Sequence, residues 1–127
     1  METRMYYAFF DGDNIGNTIE ILLIEGRVDE AIALSENIND VADEIGKILK
    51  SRNGIKVMIL GGDDLLIKYD STKYGSELLE EIRTLFQDKT GLSMSCGVGK
   101  NIAESIQNLR LAKLYGKNQI KGFIVSR

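Results

Sequence analysis

The chain has 127 residues, 43% of them hydrophobic, which is enough for a buried core, and we predict one domain over residues 1–127. The net charge of −3 argues against a bound nucleic acid strand, which needs a basic surface. No histidine and one cysteine exclude His-based general base catalysis, zinc sites built on histidine and internal disulfides. No signal peptide or long apolar stretch is visible, so we expect a cytoplasmic protein.

The first half of the chain is predicted to form one strand followed by helices. Residues 6–10 are an apolar run typical of a buried central strand. Helical signal begins near Asn14 or Ile15, and a short apolar segment over 19–24 ends at Glu25 and Gly26. Apolar residues then repeat every three or four positions over 28–49, which predicts a longer helix that ends before Gly54.

The second half begins with a predicted β-hairpin over 55–69, followed by a helix over 72–89 and an alternating strand over 92–98. Asn101, with Glu104 three residues later, predicts the start of the last helix. Its predicted apolar face consists of Ile102, Ile106 and Leu109. Gly116 ends this helix, and residues 123–125 are expected to form a short edge strand.

The order β-α-β-β-α-β, with a helix and a strand appended, predicts an α+β fold of the ferredoxin-like type. Its sheet is expected to be mainly antiparallel, with the helices on one face. A right-handed crossover makes the first two strands parallel and leaves one position between them. If the second hairpin strand fills that position, Asp63 and Asp64 lie beside Asp11, about fifty residues away in sequence.

Two acidic clusters therefore converge at one end of the sheet. In the first, Asp11, Gly12 and Asp13 follow the first strand; the second is the hairpin turn Gly61-Gly62-Asp63-Asp64. Adjacent carboxylates repel one another unless a cation lies between them, and Mg²⁺ prefers such oxygen ligands. We therefore predict a divalent metal site formed by Asp11, Asp63, Asp64 and the Gly12 carbonyl.

The neighbouring segments predict that the site binds phosphate. Asn14, Ile15 and Gly16 open a helix whose free N–H groups can hold a triphosphate. Glycines 61 and 62 allow a polyanion to approach the hairpin closely. Each motif alone is also typical of a polar turn, and Asp13 or Asn14 is a possible helix cap. Lys113 and Lys117 either complement the dipole of the last helix or contact substrate phosphates.

Taken in order, these motifs resemble the palm domains of GGDEF diguanylate cyclases, class III nucleotidyl cyclases and the polymerase subunit of type III CRISPR complexes. The segments 11–16 and 61–64 are most similar to the CRISPR polymerase. Residues 93–99 resemble the strand after the catalytic hairpin, and residues 112–118 resemble the A-K-x-x-G-[RK]-N ending. Without nuclease, zinc-binding or guide-RNA-binding parts, the chain looks like the stand-alone minimal CRISPR polymerase of bacterial antiphage defence.

The resemblance implies ATP-dependent synthesis of a cyclic nucleotide messenger with Mg²⁺ or Mn²⁺, and a separate effector that is often a membrane protein. It implies that Asp11, Asp63 and Asp64 are the catalytic metal ligands and that Lys113 and Lys117 touch triphosphate. We assign the remaining motif residues, Gly12, Asp13, Asn14, Ile15, Gly16, Gly61 and Gly62, to nucleotide binding. Asp64 and Leu65 replace the Glu and Phe of diguanylate cyclases, which argues against selectivity for guanine. Adenine is favoured on family grounds only.

Several functions compete at this stage. The leading hypothesis is a nucleotidyltransferase that joins two or more nucleotides into a ring, which requires a second nucleotide opposite the first and so predicts a homodimer with facing sites. The alternatives are a mononucleotide cyclase that makes 3′,5′-cyclic AMP, and a nucleotide-binding sensor without turnover. A ferredoxin-like interaction module ranks last, because it gives no reason for the acidic clusters to converge.

Overall fold

The structure is a computed structural model that describes residues 4–122, and it contains five strands and four helices within that range. In chain order the elements are β1 (Met5–Gly12), α1 (Ile15–Ile24), α2 (Val28–Lys50), β2 (Ile55–Gly61), β3 (Asp64–Asp70), α3 (Ser76–Thr90), β4 (Met94–Gly99), α4 (Ile102–Leu114) and β5 (Ile120–Lys121). The predicted α+β class is confirmed.

The sheet has the order β2-β3-β1-β4-β5, with β1 antiparallel to both of its neighbours. The second hairpin strand, β3, lies between β1 and β2, as predicted from a right-handed crossover. Within residues 4–122, only the contact of β4 with the short strand β5 is parallel. The C-terminal end of β1 and the hairpin turn therefore lie at the same end of the sheet.

One face of the sheet forms the hydrophobic core with α2 and α3. Tyr6, Ala8 and Phe10 alternate along β1 and are buried in this core, as the period of two requires. The core residues from the two helices are Ile38, Val41, Ile45, Leu49, Leu78, Leu79, Ile82 and Phe86. By the same alternation, Asp11 belongs to the opposite face of β1.

Helix α4 lies on that opposite face, which corrects the prediction that the helices share one face. Gly97 and Gly99 point away from the core, whereas Cys96 and Val98 belong to it. A Cβ atom on Gly97 would lie 2.1 Å from the backbone of α4 at Leu109, so the helix packs directly on the strand. The contact surface of α4 is consequently made of small side chains, Ser105 and Ala112.

The predicted apolar face of α4 is wrong for the same reason. Ile102 and Ile106 are 38% and 46% exposed, because only small residues fit under a helix so close to the strand. Helix α3 begins at Ser76 rather than near residue 72. Near residue 72, the Asp70 carboxylate accepts hydrogen bonds from the Thr72 backbone N–H and hydroxyl, and these bonds stabilise a turn in place of the helix. The strand predicted over 123–125 lies outside the described residues.

Candidate functional site

The three predicted metal-ligating carboxylates come together where β1 meets the hairpin. Asp11 pairs with Asp64 across the β1–β3 ladder, and Gly61 pairs with Asp64 across the hairpin. A two-residue turn, Gly62 and Asp63, joins the strands, and its Gly62 has a φ of 58°, which favours glycine. One oxygen from each of Asp11, Asp63 and Asp64 lies within 4.8 Å of the others. This donor set fits a hard divalent cation.

The electrostatics of the carboxylates also favour a cation. The hydrogen bond to Asp11, together with burial and the neighbouring negative charges, raises the pKa of Asp64 to about 7. Burial first, and then the Asp11 charge, raises the pKa of Asp63. Lys113 Nζ lies 3.2 Å from Asp11 Oδ2 and supplies one positive charge against three carboxylates. The site therefore holds uncompensated negative charge, which a divalent ion would neutralise.

Gly12 lets the end of β1 lie close to the hairpin turn because it has no side chain. A Cβ atom there would lie 2.5 Å from Ile15 Cγ1 and 2.9 Å from the Cβ of Asp63. The Gly12 N–H donates a hydrogen bond to the Asp63 carbonyl, with an N–O distance of 3.1 Å, and ties the two acidic segments together. The Gly12 carbonyl, predicted as a metal ligand, accepts a hydrogen bond from Lys113 Nζ at 2.8 Å, and its second lone pair can still bind a cation.

The beginning of α1 forms one wall of a cleft beside the carboxylates. Asn14 has a φ of 59° and turns the chain out of β1 into the helix, whose first turn contains no acidic residue. The first intrahelical bond runs from the Thr18 N–H to the Asn14 carbonyl, so the preceding N–H groups are available to an anion. The cleft has a volume of about 450 Å³ and is lined by Asp11, Gly12, Asn14, Ile15, Gly16, Asn17, Asp63, Lys113 and Lys117.

Asp13 lies outside this cleft, which corrects its assignment to nucleotide binding. It is 4% exposed, and its carboxylate accepts hydrogen bonds from the Ser93 and Ser95 hydroxyls, both at 2.7 Å. Lys113 Nζ and the Asn118 N–H complete the set at 2.8 and 2.9 Å. Burial opposes ionisation, but these donors outweigh it and hold the pKa of Asp13 below its ordinary value. Asp13 is thus a buried, ionised carboxylate that links Ser93 and Ser95 to Lys113 and Asn118.

The two lysines near the end of α4 have different surroundings. Lys113 reaches back to the end of β1, where its ammonium group contacts the Asp11 and Gly12 carbonyls. Lys117 follows the helix in a left-handed conformation, with a φ of 66°, and its ammonium group contacts the Asn14 side chain. Both lysines line the cleft, and their contact with phosphate stays a prediction. Gly61 and Gly62 shape the hairpin turn and are absent from the cleft lining.

The sequence analysis missed the residues that support the acidic site. Ser93 and Ser95 hold Asp13, and Asn118 closes the same network through its backbone. Arg83 of α3 donates to the Asn118 side-chain oxygen at 2.7 Å and to the Met94 carbonyl at 3.0 Å. The sequence signal for these serines is that Ser93 and Ser95 alternate with apolar residues. This alternation places both hydroxyls on the face away from the core, where they can contact Asp13.

A second cleft adjoins the first on the α4 side. Its volume is about 410 Å³, and it shares Asp11 and Lys113 with the first cleft. Its other lining residues are Ile106, Leu109, Arg110 and Leu114 of α4. The clefts thus present charged groups around the carboxylates and apolar groups along the exposed side of α4.

Comparison with known families identifies the type of domain. The model of the minimal CRISPR polymerase domain, mCpol, matches residues 7–123, which include both acidic segments and both lysines. The chain belongs to the minimal CRISPR polymerase family. No curated protein matches it.

Solved structures of related palm domains have the same fold. The Csm1–Csm4 cassette in complex with one ATP is similar with a TM-score of 0.75 and 23% identity, over 98% of this chain and 21% of that chain. Csm1 of T. onnurineus has a TM-score of 0.75 and 24% identity, over the same shares. An EAL/GGDEF domain protein from M. capsulatus has a TM-score of 0.54 and 20% identity, over 92% of this chain and 83% of that one.

The chain thus spans about a fifth of the length of the Csm1 chains that it resembles. Within residues 4–122, none of its helices has the length and apolar character needed to cross a membrane.

Proposed function

We propose that this mCpol domain is a metal-dependent nucleotidyltransferase that makes a cyclic di- or oligonucleotide messenger from ATP. The observation that carries the proposal is the convergence of Asp11, Asp63 and Asp64 beside the open N-terminus of α1. Carboxylates that can hold two cations, next to a site for a triphosphate, are what phosphoryl transfer requires.

Each part of the cleft has a role in this proposal. Asp11, Asp63 and Asp64 would hold Mg²⁺ or Mn²⁺, which would lower the pKa of the attacking hydroxyl and neutralise charge on the phosphates. The N–H groups of Ile15 and Gly16 hold the triphosphate. A 3′- or 2′-hydroxyl of one nucleotide gives up its proton to water and forms a bond to the α-phosphorus of another. The bond between that phosphorus and the α,β-bridging oxygen breaks, and pyrophosphate leaves with the electron pair. A second transfer of the same kind closes the ring.

The choice of adenine rests on the family and its neighbours. Csm1–Csm4 cassettes have been solved with ATP, with AMPPNP and with the cyclic products cA3 and cA4. Asp64 and Leu65 stand where diguanylate cyclases carry Glu and Phe, which favours a base other than guanine. The messenger would serve antiphage defence in the cytoplasm and act on a separate effector, which we expect to be a membrane protein.

We further propose a homodimer with facing sites. One acidic triad binds the triphosphate that reacts, and ring closure requires a second nucleotide to be held opposite it. Exposed apolar residues next to the cleft support a partner on the α4 side. Ile106 is 46% exposed and Leu114 is 74% exposed, and both line the second cleft beside Asp11.

The test is incubation of the purified protein with all four nucleoside triphosphates and Mn²⁺ or Mg²⁺, followed by mass spectrometry. We expect a cyclic adenylate product whose mass distinguishes a dinucleotide or larger ring from 3′,5′-cyclic AMP. Asp64→Ala should reduce its formation at least about a hundredfold, because one carboxylate of the metal site is lost. The matched control is Asp88→Ala, an exposed acid on α3. Equal activity of wild type and Asp64→Ala would refute the proposal.

A further inference from the structure

We infer that Lys113 is a positioning residue for the acidic site and that, of the two lysines near the end of α4, Lys117 is the one that contacts substrate phosphate. The inference rests on the proposed function and deepens it. It assigns different roles to two lysines for which the sequence motif implies the same role.

The contacts of Lys113 use all of its hydrogen-bonding capacity. An ammonium group has three donors. Lys113 Nζ lies 2.8 Å from the Gly12 carbonyl, 2.8 Å from Asp13 Oδ1 and 3.2 Å from the Asp11 carbonyl. Asp11 Oδ2 is a further oxygen at 3.2 Å. The ammonium group therefore holds both the backbone and the side chain of the segment that carries the first metal-ligating carboxylate.

Asp13 keeps Lys113 in this place. The Asp13 side chain is 3% exposed, and the Lys113 side chain is 23% exposed, so the pair is largely removed from water. If Lys113 turned toward a phosphate, the buried Asp13 carboxylate would lose its charged partner, which is costly away from solvent. Ser93 and Ser95 fix the other side of Asp13, so it cannot follow the lysine.

Lys117 has no such constraint. Its ammonium group contacts the side-chain oxygen of Asn14, a neutral and exposed group at the start of α1. A phosphate can replace this neutral partner with a stronger charge-assisted bond. The backbone around Lys117 is nevertheless fixed, because the Asn118 N–H donates to Asp13 and Arg83 donates to the Asn118 side chain. A rigid turn thus presents to the cleft a lysine whose ammonium group contacts a neutral, replaceable partner.

Substitution by arginine distinguishes the two roles. Arginine is a good phosphate ligand, so a lysine that only contacts phosphate tolerates the change. A lysine whose compact head fits among oxygens of Gly12, Asp13 and Asp11 does not, because the planar guanidinium group cannot take the same place. Lys113→Arg should therefore impair turnover while triphosphate binding persists.

The experiment compares Lys113→Met, Lys113→Arg and Lys117→Met, with the exposed α2 residue Lys50→Met as the matched control. Titration calorimetry with Mg²⁺ and α,β-methylene ATP, which cannot transfer its α-phosphate, measures binding, and initial rates with ATP measure kcat and KM. We expect Lys117→Met to weaken analogue binding and raise KM about tenfold or more, because a charge-assisted contact is lost. Both Lys113 variants should bind the analogue within about threefold of wild type and lose at least about tenfold in kcat.

Three outcomes would overturn the inference. The first is that Lys113→Met weakens analogue binding as much as Lys117→Met does. The second is that Lys113→Arg keeps the wild-type kcat, a result that also decides the matter if Lys113→Met does not fold. The third is that the wild-type protein does not bind the analogue. If the wild type binds the analogue but makes no product, the proposed function fails while the binding comparison still tests the two lysines.

Discussion

Three carboxylates share a small volume at the end of β1 because the β1–β3 ladder pairs Asp11 with Asp64 and the turn adds Asp63. In the absence of a cation, their mutual repulsion and their burial are an energetic cost that destabilises the folded state. Such a cost is typical of sites whose ligand, here the proposed metal–nucleotide complex, offsets it on binding.

The raised pKa of Asp64 predicts a pH-dependent effect of metal on stability. Because that pKa is about 7, the metal-free folded protein holds a proton that the unfolded chain releases above about pH 4. The stability of the metal-free protein therefore falls, through this group, as the pH rises from about 4 to 7. Saturating Mg²⁺, worth about 2.7 kcal/mol at a hundred times its Kd, should raise Tm more at pH 8 than at pH 5.

Differential scanning fluorimetry in EDTA and in Mg²⁺, at both pH values, measures this difference. Asp64→Asn should abolish most of the Mg²⁺-induced rise in Tm, whereas Asp88→Asn should leave it as in the wild type. An equal Mg²⁺-induced rise at pH 5 and pH 8 would contradict this account of the carboxylates.

At the scale of elements, the contact between β4 and α4 decides where the basic residues lie. Gly97 and Gly99 leave no side chains between the strand and the helix, so α4 packs on backbone. That close approach brings Lys113, near the end of α4, within reach of the end of β1. The glycine alternation was visible in the sequence, but the sequence analysis interpreted it only as a half-buried strand.

A methyl group at Gly97 should therefore disrupt both stability and activity. The added Cβ would lie 2.1 Å from the Leu109 nitrogen and the Ser105 oxygen, both backbone atoms that cannot move without shifting the helix. We expect Gly97→Ala to cost about 3 kcal/mol of unfolding free energy and to reduce product formation. Urea denaturation followed by circular dichroism measures the loss. Gly61→Ala, which places its Cβ in open space, should change stability by less than about 1 kcal/mol.

At the scale of the whole molecule, the proposed facing sites predict a functional dimer. Leu114 lines the cleft beside Asp11 and is 74% exposed, so a charge there should separate the protomers. We expect Leu114→Glu to run as a monomer in size-exclusion chromatography with light scattering and to lose at least about tenfold in cyclic product. Ile24→Glu is a matched control, because Ile24 is 77% exposed but lies at the far end of α1. A monomeric wild type with full activity at all concentrations would refute the dimer.

The sequence by itself determined the order of elements and the convergence of the acidic motifs. Periodicity and turn residues are local signals, and the handedness of the crossover leaves one position for β3, so Asp11 and the Asp63–Asp64 turn had to meet. The start of α1 at Ile15 agrees with the helical signal predicted near Asn14 or Ile15.

Only the tertiary structure decided what surrounds those carboxylates. The burial of Asp13 and the separate partners of Lys113 and Lys117 depend on contacts between residues about 80 to 100 positions apart. The side of the sheet taken by α4 depends on how closely its backbone packs on Gly97. Sequence patterns predict which face of a helix or strand is apolar. Which polar side chains contact one another between the elements depends on how the elements pack. The two lysines of the motif therefore differ in their partners: Lys113 is ion-paired with the buried Asp13, and Lys117 contacts the neutral side chain of Asn14.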